Sequence, residues 1–205
     1  GFEINPGNAY ADGGGNAENR NNGWDLGWLG SDHTDRHLYY DYGFSVPAGA
    51  TIDGIEVRLD WWLDGAGGNN RIQVELSWDG GTSWTSTQVD TSEPTSETTV
   101  TLGGIGDTWG RTWSPSEFSN ANFRVRVSCY SSSVNRDFFL DWVRARVTYS
   151  LPTDTPTATS TSTSTPTGTP TMTPTSTPVP LQVYEIESSS RGRRVRVRVQ
   201  MVDGQ

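Results

Sequence analysis

Between positions 151 and 180 the chain carries 24 Thr, Ser or Pro in 30 residues, with a Thr at every second position from Thr153 to Thr177. A stretch this poor in apolar surface has nothing to offset the conformational entropy of ordering it, so it joins no core. Its prolines and hydroxyls favour an extended, water-facing rod of the polyproline II kind. Ser and Thr mixed with Pro is also the composition of O-glycosylated stalks outside the cell. The candidate glycan acceptors are Thr153, Thr155, Thr157, Thr159, Thr161, Thr163, Thr165, Thr167, Thr169, Thr171, Thr173, Thr175 and Thr177. At about 3.1 Å per residue such a rod reaches roughly 90 Å, enough to carry the C-terminal residues to a neighbouring molecule.

The rod divides the chain into a head at 1–150, a stalk at 151–180 and a terminal piece at 181–205 that is too short to fold alone. No run of 18 apolar residues occurs, so no helical membrane span is expected. The chain opens at GFEINPGN without a charged and hydrophobic leader, which reads as the soluble, mature form of an extracellular, cell-surface or secreted protein. Cys129 is the only cysteine, which excludes an intrachain disulfide; it shares a strand face with Val125 and Val127 and reads as a small core residue.

All 15 basic residues are Arg. The head holds 20 acids and 10 Arg (net −10), the stalk one acid (−1), and the tail three acids and five Arg (+2). Phosphate binding needs clustered positive charge, so the acidic head argues against a nucleic-acid partner. The basic tail suits the acidic head of another copy.

Residues 36 to 149 read as short strands of period 2, separated by Gly, Asn, Asp, Ser and Pro clusters. In GIEVRLDWW, Ile55, Val57, Leu59 and Trp61 share one face, and Glu56, Arg58, Asp60 and Trp62 the other. RIQVELSW repeats this with Ile72, Val74, Leu76 and Trp78 inward, and NFRVRVSCY with Phe123, Val125, Val127 and Cys129. FFLDWVRARVTYS sets Val143, Ala145 and Val147 against Arg144, Arg146 and Thr148. Shorter strands are expected around Trp84 to Val89 and Thr98 to Leu102, and nothing reads as a helix. The fold class is therefore all-β: an antiparallel β-sandwich of jelly-roll type, an extended linker and a C-terminal β-hairpin.

The series PAGATIDGIEVRLD, DGGTSW, TLGGIGDTWGRTWSPSEFSNANFRVRV and LDWVRARVTYS resembles a β-sandwich domain of large secreted or surface-attached bacterial proteins, over about residues 36 to 149. That resemblance implies an extracellular structural or adhesive module with no catalytic residues. The stalk is similar to those of surface proteins from filamentous Chloroflexota-like bacteria. The tail LQVYEIESSSRGRRVRVRVQMVDGQ looks like the opening hairpin of an immunoglobulin-like surface repeat, with strands over Leu181 to Glu187 and Arg193 to Val202.

Val195, Val197, Val199 and Met201 form an apolar stripe, and an isolated two-stranded hairpin is marginal in water. Three coverings are open: a following domain of a longer protein, the chain's own head, or a neighbour's sheet extended by strand donation. In the last case Arg194, Arg196 and Arg198 would meet the neighbour's carboxylates, so the subunit contact is expected at Arg194, Val195, Arg196, Val197, Arg198, Val199 and Met201.

Other motifs weigh less. Ser77 to Trp84 resembles an Asp-box turn, a structural feature even in sialidases. The glycine-rich N-terminal loop offers Asp12, Asn16 and Asp25 as oxygen ligands for a structural Ca²⁺, without EF-hand spacing; no cofactor is required. His33 and His37 would lie about 13 Å apart on a strand at about 3.3 Å per residue, too far to share a metal. Among the nine Trp, Trp62, Trp109 and Trp113 fall on outward faces or loops and could pack over the core and ends of the sandwich, lie in subunit contacts or stack on sugar rings, and Arg111 could lie between the two rings of its own WGRTW run. No nucleophile elbow, P-loop or dinucleotide fingerprint occurs, and an enzyme is not expected. The leading reading is a filament subunit, self-associating into a homopolymer by strand addition. The alternative is a carbohydrate-binding or adhesive module of a longer protein, with a glycan as partner.

Overall fold

The computed structural model describes residues 1–22, 34–132, 136–152, 182–189 and 196–201. Within these the chain is built from ten strands and two single 3₁₀ turns, at Asn8–Tyr10 and Pro115–Phe118. In chain order the strands are β1 Ala17–Asn22, β2 Thr34–Tyr39, β3 Thr51–Leu63, β4 Arg71–Ser77, β5 Gln88–Asp90, β6 Thr98–Gly104, β7 Arg124–Tyr130, β8 Arg136–Ser150, β9 Gln182–Ser189 and β10 Arg196–Met201. No helix among the described residues is long and apolar enough to cross a membrane.

Two antiparallel sheets pack face to face. One has the order β10-β9-β8-β3-β6 with β1 also paired to β8; the other is β2-β7-β4-β5. Their spine is the β3–β8 ladder, which runs from Thr51 opposite Ser150 to Leu63 opposite Phe138. Alternation explains it: Ile55, Val57, Leu59 and Trp61 are buried completely, and so are Val143, Ala145 and Val147 across the ladder. From the second sheet, Ile72, Val74, Leu76, Val125, Val127 and Cys129 complete the layer. One end of the sandwich is closed by rings: Phe44, Phe118 and Phe123 meet at centroid distances of 5.4 to 5.9 Å, and Trp113 joins Phe118 at 5.3 Å.

Three expectations need correction. The N-terminal stretch is more than a loop: Ala17 and Asn19 alternate into the core as β1, although AENRNN has no apolar run to announce a strand. The strand expected from Trp84 starts only at Gln88, because the turn after β4 is held by its own bonds. There Asp79 accepts from the Thr82 and Ser83 amides and from the Ser77 hydroxyl, which keeps the chain curled. Trp78, read as inward, lies just past β4 and is only partly buried against the rim of the core.

Candidate functional site

β8 is the longest strand, and its edge opposite β3 is used twice. Its first part, Arg136 to Leu140, pairs with β1, and its second, Arg144 to Ser150, pairs with β9. Between them the β3–β8 register shifts: Asp60 faces Trp142 and Trp61 faces Leu140, so Asp141 is an extra residue, a β-bulge. Bulges bend a strand and re-aim its side chains; here the Asp141 carboxylate accepts the Gly13 amide at 2.9 Å, fixing the N-terminal loop where the partner of β8 changes from β1 to β9.

The second half of that edge is the candidate site, and it is occupied by the chain's own tail. β9 runs antiparallel to β8 with Arg146 opposite Glu187, Val147 opposite Ile186, Thr148 opposite Glu185 and Ser150 opposite Val183. β10 follows with Glu187 opposite Arg196, Ile186 opposite Val197 and Tyr184 opposite Val199. Paired residues of antiparallel strands share a face, so two kinds of row cross the sheet. Ile55 and Val147 are buried toward the second sheet, and the register sets Ile186 and Val197 in line with them. The next register position lines up Glu56, Arg146, Glu187 and Arg196, residues that alternate in sign. Its first step is a direct ion pair, Arg146 Nη1 donating to Glu56 Oε2 at 2.8 Å. Opposite charges at directly paired positions favour a sheet pairing, and like charges oppose it.

Arg196 and Arg198 stand opposite Glu187 and Glu185 of the hairpin's own first strand. Val197, Val199 and Met201 stand at alternate positions of β10, opposite Ile186, Tyr184 and Gln182, and Arg194 and Val195 lie outside the described residues. So do all thirteen stalk threonines, from Thr153 to Thr177.

The sugar-platform residues do not form a platform. Trp109 and Trp113 are 4% and 5% exposed. Trp109 Nε1 donates to the Ile55 carbonyl at 2.9 Å and Trp113 Nε1 to the Thr108 carbonyl at 2.8 Å, so the loop folds its indoles back into the sandwich. Trp62 is half-buried and stacked on Phe139 at 5.3 Å. Arg111 does lie between two rings, but they are Trp78 and Trp113, at 3.9 and 4.4 Å, while Glu117 accepts two of its N–H groups. Trp78 enters this stack from a different turn, which the local spacing of the WGRTW run could not reveal.

Of the candidate calcium ligands, Asp12 is exposed, the Asn16 amide donates to Glu18, and Asp25 lies outside the described residues. Among the described residues no three His, Cys, Asp or Glu are placed to hold one ion. His33 also lies outside them, and His37 sits on β2 beside Tyr39, with ring centroids 5.0 Å apart.

No protein-family model matches the chain, and no curated protein or solved structure matches it significantly. The β-sandwich is thus defined by its own strands and their pairing.

Proposed function

We propose that this chain is an extracellular structural subunit that joins a filament or fibre by adding its C-terminal hairpin to a sheet of a neighbouring copy. The observation that carries the reading is the match between β9 and the Arg144 to Ser150 edge of β8, whose register sets Ile186 opposite Val147 and Glu187 opposite Arg146. Backbone hydrogen bonds along such an edge supply affinity, and the two faces supply orientation. The strand orders β1-β8-β3-β6 and β2-β7-β4-β5 support a head of jelly-roll type. The Thr/Pro stalk, bearing O-linked sugar, acts as the spacer between head and hairpin.

The carbohydrate-module reading is weaker, because burial of Trp109 and Trp113 leaves one of its three platforms, and that one is stacked on a neighbour. Light scattering behind size exclusion, on the full chain and on a version ending at Pro180, tests the assembly. Polymers from the full chain with a monomeric truncated form are expected. Monomers in both cases would overturn the reading.

A further inference from the structure

We infer that the β8 edge from Arg144 to Ser150 takes the hairpin of a second copy in place of its own, in the same register, so that each copy is donor at one end and acceptor at the other. The inference rests on the proposed filament assembly and specifies its edge, its register and its occupant.

Ser150 ends β8, and Val183, the second residue of β9, stands directly opposite it. For a chain to fill its own edge, the stretch 151–181 must leave β8 and re-enter beside it, across a gap of about 5 Å between paired Cα atoms. Antiparallel neighbours are ordinarily joined by about 2–5 residues. The joining stretch here is rich in Thr and Pro and reaches roughly 90 Å when extended, a composition that opposes doubling back. A linker raises the effective concentration of its end most strongly when its length matches the span, so the tether's preference for its own edge weakens as the stretch extends.

The edge contacts themselves do not distinguish the two arrangements. β9 would form the same backbone bonds and the same rows whether it comes from its own chain or another, since the linker contributes no residue to the β8–β9 pairing. The difference lies in the linker, whose extended reach also spans to a neighbour's edge. Both faces restrict the register: sliding β9 by one residue would put Glu185 and Glu187 on the core face with Val147. Donor hairpin and acceptor edge are different surfaces, so the contact is heterologous and leaves a free donor and a free acceptor at the ends of every chain of subunits.

The test places cysteines at paired positions of the full chain. Thr148→Cys with Glu185→Cys in one molecule should give, on mild oxidation of the assembled protein, a ladder of covalent multimers on a non-reducing gel. Two single variants, T148C and E185C, assembled together should give covalent dimers that neither gives alone. Arg146→Cys with Glu187→Cys is a second pair on the same face, used if the first impairs folding. Cys129 is fully buried and present throughout, so unsubstituted protein is the control. Multimer ladders support exchange. Polymers that yield only internally cross-linked monomers overturn it, because the hairpin then stays on its own head while assembly uses another surface. Polymers that link T148C to neither partner overturn the edge assignment and leave assembly standing. Absence of polymers from unsubstituted protein would overturn the assembly itself, and this inference with it.

Discussion

The Gly13 amide donates to Asp141 Oδ2 at 2.9 Å, at the bulge where the edge of β8 passes from β1 to β9. One buried carboxylate thus ties an N-terminal loop to the start of the acceptor edge. Asp141 is 5% exposed while Gly13 is exposed, so removing its oxygens loses a bond to a charged group whose acceptor side alone is buried. Asp141→Ala is expected to cost about 1–3 kcal/mol, and Asp141→Asn, which keeps an acceptor, distinctly less. Urea denaturation of both variants checks this; a loss within about 0.5 kcal/mol for the alanine form would place the bond among surface contacts of no consequence.

The Arg111 stack separates a structural tryptophan from a ligand platform. Trp113→Ala opens space beside Phe118 and Phe123 and is expected to cost about 3–5 kcal/mol. Arg111→Lys retains the charge but loses the planar fork on Glu117 and the stacking on Trp78, so it too should destabilise, by about 1 kcal/mol or more. Thermal unfolding reports both. A Trp113→Ala protein as stable as the parent would return that indole to the surface.

The alternation of Ile55, Val57, Leu59 and Trp61 was legible because burial on one face leaves a period-2 trace in the residues themselves. Ala17 and Asn19 leave no such trace, although both are completely buried in β1. Trp109 and Trp113 looked like loop residues, and they are, but a loop that folds over the end of a sandwich buries what it carries. The apolar phase of Val197, Val199 and Met201 could likewise be read from spacing. The edge that receives it could not, because backbone pairing is blind to sequence and Val147 lies far from Ile186 along the chain.

Gly103 stands at φ +80° opposite Glu56, and a Cβ there would press on the Ile55 carbonyl and on Trp109 Nε1, the two partners of a buried hydrogen bond. Gly103→Ala therefore combines left-handed strain with displacement of the Trp109 indole. Each effect is on the order of 1–3 kcal/mol, so the variant should unfold well below the parent in a thermal scan and show altered tryptophan fluorescence. Gly106→Ala, with open space around its added carbon, is the control and should behave like the parent.

Titration should narrow stability from both sides. Burial lowers the pKa of His37 below its ordinary 6.5, and the N-terminal amine adds to the effect. The unfolded chain then takes up that proton first, so stability is lost as pH falls below 6.5 through the lower folded value. Asp79, lowered to about 2 chiefly by the Ser83 amide, contributes above its ordinary 3.8 and loses that contribution between there and about 2. Burial raises Tyr39 and Tyr42 well above 10.0, so their contribution is full below that pH and lost on going above it. His37→Gln should flatten the loss just below pH 6.5 and leave the alkaline limb unchanged, as read from urea midpoints across the range. An unchanged acid limb would assign it to other groups.

The head should be stable without its hairpin yet gain stability from it. The core strands β3, β8, β4 and β7 are buried by one another, so a chain ending at Pro180 loses pairing at one edge and keeps the sandwich. Adding the separate peptide 181–205 to that truncated head then tests the edge as a binding site. A ligand that binds only the folded form stabilises by mass action, by about 2.7 kcal/mol at a hundredfold excess over Kd. At about 2–4 °C per kcal/mol for a domain of this size, the midpoint should rise by roughly 5–11 °C. The rise should grow with peptide concentration and disappear for a peptide carrying Ile186→Lys, which puts a charge in the row between Val147 and Val197. An unmoved midpoint at saturating peptide would mean that the edge holds its strand only through the tether.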